Sequence, residues 1–143
     1  MKKTTAIFCL VFLLMLSACK SPKHIEVMID APIQVNTNDE FVITATVKNT
    51  ASNEQKLVSL DIGNKYLKGI AIIKTEPDNS ESFYVPIDNT FSYVFNIPIK
   101  AGEEIKVKLY AKALKKGDFN AEVDFCINSD TSFLTKSIRT VVQ

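Results

Sequence analysis

Side chains able to do chemistry are few and scattered in this chain of 143 residues. His24 is the only histidine, and an imidazole acting as a base or a metal ligand needs a nucleophile or further ligands beside it. The three cysteines, Cys9, Cys19 and Cys126, form no close pair of the kind that metal or redox motifs use. The run Asp78, Asn79, Ser80, Glu81 and the pair Asn128 and Asp130 offer oxygen ligands suited to calcium. Both lack the regular ligand spacing and central glycine of a calcium loop, so they read as polar turns. There is no GxSxG elbow and no HExxH helix. The four glycines, Gly63, Gly69, Gly102 and Gly117, fall at turns, which leaves no glycine-rich phosphate loop. The expectation is a protein that is not an enzyme and that uses neither cofactor nor metal.

The densest charge pattern is Lys106, Lys108, Lys112, Lys115 and Lys116, with Tyr110 between. Such a stripe suits lipid head groups, an acidic polysaccharide or a protein partner. Alternation along a strand would also place these lysines in solvent, where they guard against edge-to-edge pairing. Lys106, Lys108, Tyr110 and Lys112 are carried forward as a candidate interaction surface. Overall, 17 basic residues face 16 acidic ones, a balance that gives no footprint for nucleic acid.

The elements that must position these groups begin with the opening MKKTTAIFCLVFLLMLSAC. A cationic start, an apolar run and small residues before a cysteine are the parts of a secretory signal. The run from Ala6 to Ala18 is 13 residues long, short of the ~20 that a bilayer-crossing helix needs. Its end, Leu16-Ser17-Ala18-Cys19, resembles the lipobox of bacterial lipoproteins. That resemblance implies cleavage between Ala18 and Cys19, a diacylglycerol on the Cys19 thiol and usually an acyl chain on its new amino group. Two or three acyl chains hold a protein durably on a membrane without spanning it. Residues 1–18 are thus expected to be a lipoprotein signal peptide and 19–24 a lipidated tether, whose five residues after Cys19 reach less than about 20 Å. Without Lys2 and Lys3 the balance becomes 15 basic against 16 acidic, a net charge of −1. Lys20 stands where an aspartate would, by analogy with enteric bacteria, favour the inner membrane. The expected address is the cell envelope, lipid-anchored: the outer membrane, facing the periplasm or the cell surface, if the cell has two membranes.

Residues 25–143 read as one all-β domain. EFVITATVKN places Phe41, Ile43, Ala45 and Val47 on one face, and later stretches give matching rows. Phe91, Tyr93, Phe95, Ile97 and Ile99 form one; Ile105, Val107, Leu109, Ala111 and Ala113 another; Phe119, Ala121, Val123, Phe125 and Ile127 a third. Weaker strands are expected at 25–29, 57–62, 69–75 and 133–142, with 83–87 doubtful because Pro86 cannot donate to a ladder. Seven to nine short strands with regular turns and no helix of ordinary length predict an antiparallel β-sandwich. Pro32 should split the first strand so that its halves join different sheets. One hairpin is specified in detail: strand 104–113 turning through LKKGD into the strand from Phe119, with Leu109 opposite Val123 and Lys108 opposite Asp124. Cys126, alone in the exported domain, reads as a small apolar filler.

PIQVNTNDEFVITATVKNT, followed by IPIKAGEEIKVKLYAKALKKGDF, resembles the immunoglobulin-like domains of bacterial surface and envelope proteins. It lacks the tryptophan and paired cysteines of antibody-type domains, and Phe119 stands where those have a corner tyrosine. The expected function is a lipid-anchored envelope protein whose non-enzymatic sandwich binds a protein partner through strand edges and loops. The alternatives are an accessory lipoprotein of an envelope assembly or secretion machine, and an immunoglobulin-like protease inhibitor. Inhibitors of the last kind act through protruding loops of characteristic sequence, and no comparable glycine-rich or tryptophan-bearing loop is present.

Overall fold

The computed structural model describes residues 21–143, so the signal peptide and the lipidation and cleavage positions, Ala18 and Cys19, lie outside the described residues. The strands are β1 (Ile25–Asp30), β2 (Gln34–Val35), β3 (Glu40–Asn49), β4 (Gln55–Gly63), β5 (Ile70–Glu76), β6 (Glu81–Val85), β7 (Thr90–Ile99), β8 (Glu104–Ala113), β9 (Gly117–Ile127) and β10 (Phe133–Val142). One four-residue helix, α1 (Asn64–Leu67), joins β4 to β5. A four-stranded sheet, in the order β1-β3-β8-β5, packs on a six-stranded sheet in the order β2-β10-β9-β4-β7-β6. All neighbours are antiparallel except β2, which pairs parallel to the end of β10 through Gln34 and Val35. The expected all-β, immunoglobulin-like sandwich is what the chain forms.

The period-two rows explain the two layers. Ile43, Ala45 and Val47 of β3 and Val107, Leu109, Ala111 and Ala113 of β8 are fully buried on the inner face of the smaller sheet. Leu57, Leu60 and Ile62 of β4, with Val123, Phe125 and Ile127 of β9, meet them from the larger one. Both rows come from strands rich in branched and aromatic side chains, whose burial is worth roughly 1.5–3 kcal/mol for each large residue. Tyr66 of α1 enters the same core, and its hydroxyl meets the Thr140 hydroxyl at 2.9 Å. The strand break at Pro32 has the expected effect: β1 joins the smaller sheet and β2 the larger.

The expected hairpin does not form. β8 pairs with β3 and β5, whereas β9 pairs with β4 and β10, so the segment between them crosses from one sheet to the other. Leu109 therefore lies opposite Ile43 and Thr75, not Val123, and Lys108 lies opposite Thr44 and Glu76, not Asp124. The doubtful strand at 83–87 is real but shifted: β6 runs from Glu81 to Val85, and Pro86 falls just past its end. Gly63 closes β4 instead of sitting in a turn.

Candidate functional site

Lys106, Lys108, Tyr110 and Lys112 point outward from β8, because the residues between them are the buried ones. Lys115 and Lys116 lie beyond it, in the crossover to β9. The neighbour that meets the stripe is Glu76 of β5. Its Oε1 is 3.4 Å from Lys108 Nζ, and Tyr110 donates its hydroxyl to Oε2 at 2.8 Å. The Tyr110 bond first, then Lys108, hold the Glu76 carboxyl below the usual carboxylate range, and the same bond raises the Tyr110 hydroxyl. Lys74 Nζ sits 4.4 Å from the centre of the Tyr110 ring, a cation–π arrangement. This outer face also carries Glu26, Met28 and Asp30 of β1. It is a mixed, solvated surface on which exposed ion pairs contribute little, and its four predicted residues do not converge on a ligand-sized recess.

His24 is exposed, and its main-chain carbonyl accepts from Thr50 N–H at 2.9 Å. Of the run 78–81, residues 78–80 form the connection between β5 and β6, and Glu81 opens β6. Asn79 N–H donates to Thr75 Oγ1 at 2.9 Å, and Asn79 Nδ2 donates to the Glu81 carbonyl at 2.9 Å.

The larger sheet is different. Its outer face carries a transverse row, Phe83, Ser92, Asp61, Asp124 and Thr135, on five successive strands from β6 to β10. A second row joins Glu81, Val94, Ser59, Cys126 and Phe133. Ser59, Ser92 and Cys126 are buried although they face outward. The turn after β6 and the loop after β9 rise beside them and leave a groove of about 530 Å³, walled by Phe83, Val85, Ile87 and Val94 with Asp61 and Asp130 among its lining. That volume is in the range of ligand-sized sites.

Asp124 accepts from Thr135 Oγ1 at 2.5 Å. Burial foremost pushes its carboxyl up, the Thr135 bond opposes this, and the charges of Asp61, Glu122 and Asp88 add to the rise. Asp61 Oδ2 lies 3.5 Å from Cys126 Sγ, while Asp61 Oδ1 is buried with no hydrogen-bond partner. Burial pushes the Cys126 thiol up to about 12, so it is a protonated filler and not a reactive thiolate. Sequence reasoning did not find this face. Asp61 and Asp124 are 63 positions apart in the chain, and only the pairing of β4 with β9 brings them together.

The groove borders β6, the last strand of its sheet. Phe83 and Tyr84 are 47% and 46% exposed there, and Ile87 in the following turn is 90% exposed.

No protein-family model matches the chain, and no curated protein matches it. Solved structures do resemble it. The native conformation of E. coli alpha-2-macroglobulin matches at a TM-score of 0.56 and 13% identity over 84% of this chain, which spans only 7% of that protein. The CARDB domain of a Pyrococcus furiosus protein, solved with two metal ions, matches at 0.51 and 11% identity, covering 83% of this chain and 87% of that one. The cupredoxin domain of amoB from Nitrosocaldus yellowstonii matches at 0.51 and 14% identity, over 86% and 89% of the two chains. At such identities the likeness is one of fold alone, and it places the chain among immunoglobulin-like β-sandwiches.

Proposed function

We propose that this is a lipid-anchored envelope protein, without enzymatic activity, whose sandwich binds a protein partner by strand addition at β6. The observation that carries the reading is the state of that edge. Natural sheets blunt free edges with lysines, prolines, bulges or a covering element. β5, an edge of the other sheet, has both a bulge at Ile72/Lys74 and a lysine. β6 has the sequence ESFYV, with no lysine and no proline in the strand, and its pairing with β7 is regular throughout. An exposed edge that carries aromatic side chains is what β-augmentation uses. The anchor rests on the cationic start, the apolar run and Leu16-Ser17-Ala18-Cys19, and the short tether would hold the domain near the bilayer.

Facing carboxylates are also raw material for hydrolysis. Asp61, however, lines the groove beside β6, while Asp124 lines the neighbouring recess with Lys65 and Arg139, so the two carboxylates do not converge on one site.

Two measurements test the proposal. A photo-cross-linking amino acid at Phe83 of the full chain, in its native cells, should give one adduct of defined mass. The same group at Glu26 on β1, an edge studded with Glu26 and Asp30, should give none; monomer alone at both positions defeats strand addition. Intact mass from the membrane fraction should show loss of residues 1–18 and acyl chains on Cys19, and Cys19→Ser should release the protein into the soluble fraction. Retention of Met1 defeats the anchor.

A further inference from the structure

Two asparagines knit the loops after β3, β7 and β9 into one end of the sandwich. Asn49, fully buried at the close of β3, donates its side-chain amide to the carbonyls of Asn53 and Ile99 at 2.8 and 2.9 Å, and its main-chain N–H to the Glu103 carbonyl at 2.8 Å. Asn128, just past β9, accepts from Lys56 N–H at 2.9 Å and donates to Gln55 Oε1 at 2.6 Å. The chain that leads in from Cys19 is fastened to the same end. The His24 carbonyl accepts from Thr50 N–H at 2.9 Å, and Ser21, Pro22 and Lys23 share a small cleft with Ser132 of the loop after β9. The reach of about 20 Å expected of the tether is thereby shortened, because only Lys20 separates Cys19 from chain that the domain already holds. Two residues span at most about 7 Å. A head-group layer has a similar depth, roughly 5–7 Å on each side of the hydrocarbon.

We infer that this end of the sandwich, formed by loops 50–54, 100–103 and 128–132, is a lipid-facing surface held in the head-group layer by the docked tether. The inference rests on the anchor proposed above and adds which face of the domain meets the bilayer. Acyl chains on Cys19 lie in the hydrocarbon, so the sulfur sits near its boundary and Ser21 within the head groups or at their outer limit. Charge does not select this end: Lys23, Lys56 and Lys100 are exposed there, but so are Glu54, Glu103 and Asp130. The surface should therefore meet zwitterionic lipid as readily as anionic lipid. The strands then rise away from the membrane. β6 pairs with β7 only from Thr90 to Val94, five residues short of Ile99 at the lipid end, a separation of about 17 Å at ~3.3 Å per residue. The β6 edge is thus held clear of the head groups, open to a partner chain running along the membrane normal.

The test uses the protein extracted from its native membranes and reconstituted in phosphatidylcholine vesicles, a fraction of whose head groups carry a nitroxide. A fluorophore is attached in turn at Ser52→Cys, Ala101→Cys and Ile87→Cys. Ser52 and Ala101 are exposed at the lipid end, and Ile87, 90% exposed, lies in the turn at the opposite end; Cys126 is buried and stays unlabelled. The nitroxide should quench Ser52→Cys and Ala101→Cys severalfold more than Ile87→Cys. Ten Gly/Ser residues inserted between Lys20 and Ser21 add roughly 17 Å of root-mean-square reach. They should remove most of that difference while sedimentation with the vesicles is unchanged. Equal quenching at the three positions in vesicle-bound protein overturns the inference and leaves the anchor standing. A difference that survives the insertion overturns the tether as its cause. Protein that does not sediment with the vesicles at all defeats the anchor, and this inference with it.

Discussion

Asp124 shows how a single carboxylate records the demands of its place. It lies half-buried on β9, tied to Thr135 and facing Asp61 across the strand pair. Burial first, then neighbouring acids, raise its folded-state pKa above the ordinary value. A raised carboxyl contributes stability that is fully present below the ordinary value and is lost as pH climbs through the folded one, so at neutral pH the ionised group works against folding. Asp124→Asn should therefore stabilise the protein at pH 7 by roughly 0.5–1 kcal/mol, the scale of a cross-strand pair, and should change it little near pH 3. Urea unfolding at the two pH values checks this; a variant that is weaker at pH 7 would show that the Thr135 bond outweighs the repulsion. The sequence made Asp124 legible as an outward residue and Cys126 as buried filler, since Cys126 is 1% exposed. It did not reveal Asp124's neighbours. Alternation tells which face a side chain takes, and says nothing of which strand lies alongside.

The same limit acts on elements. Inward rows on β8 and β9 look alike whether the two strands share a sheet or face each other across the core, so a register that matched every inward residue to an inward one was satisfied by either arrangement. The three residues Leu114–Lys116 are short enough for a hairpin, yet here they cross between sheets. Pro32 was legible because its effect is local: it lacks the N–H that a continuing ladder would need. What closes the crossover is Phe119, whose ring lies over two glycines. A Cβ at Gly69 would stand 2.0 Å from Phe119 Cζ, and one at Gly117 would stand 2.8 Å away. Phe119 secures this corner by laying its ring against the bare backbone of Gly69 and Gly117. Gly69→Ala should then expel the ring and cost about 1–3 kcal/mol, as overpacking does. In a Phe119→Ala background the same change should cost well under that, which a double-mutant cycle in urea would read as coupling between the two sites. Additive effects would mean that the ring is not what forbids a side chain at Gly69.

Over the whole molecule, buried ionisable groups make the sandwich sensitive to alkali. Tyr66 links the two sheets from α1, Tyr93 lies on β7 and Cys126 on β9, and burial pushes each of them up to about 12. For Tyr66 the hydrogen bond with Thr140 opposes that rise without cancelling it. In the unfolded chain tyrosine ionises near 10 and cysteine near 9. These groups' stabilising contribution is therefore complete below the ordinary values and disappears as pH rises toward 12. On the order of 2–3 kcal/mol is at stake for each tyrosine, against a typical domain stability of ~5–15 kcal/mol. Among the described residues no disulfide holds the two sheets once the core charges, because Cys126 is a free thiol. The protein should thus unfold cooperatively between about pH 10 and 12, with tyrosinate absorbance and the loss of β-sheet circular dichroism moving together. Tyr66→Phe should shift that transition upward, since Thr140 Oγ1 keeps its bond to the Pro32 carbonyl at 2.9 Å and no hydroxyl remains there to ionise. Tyrosines that titrate fully while the sheet signal holds would show that Tyr66 and Tyr93 reach water without the two layers parting.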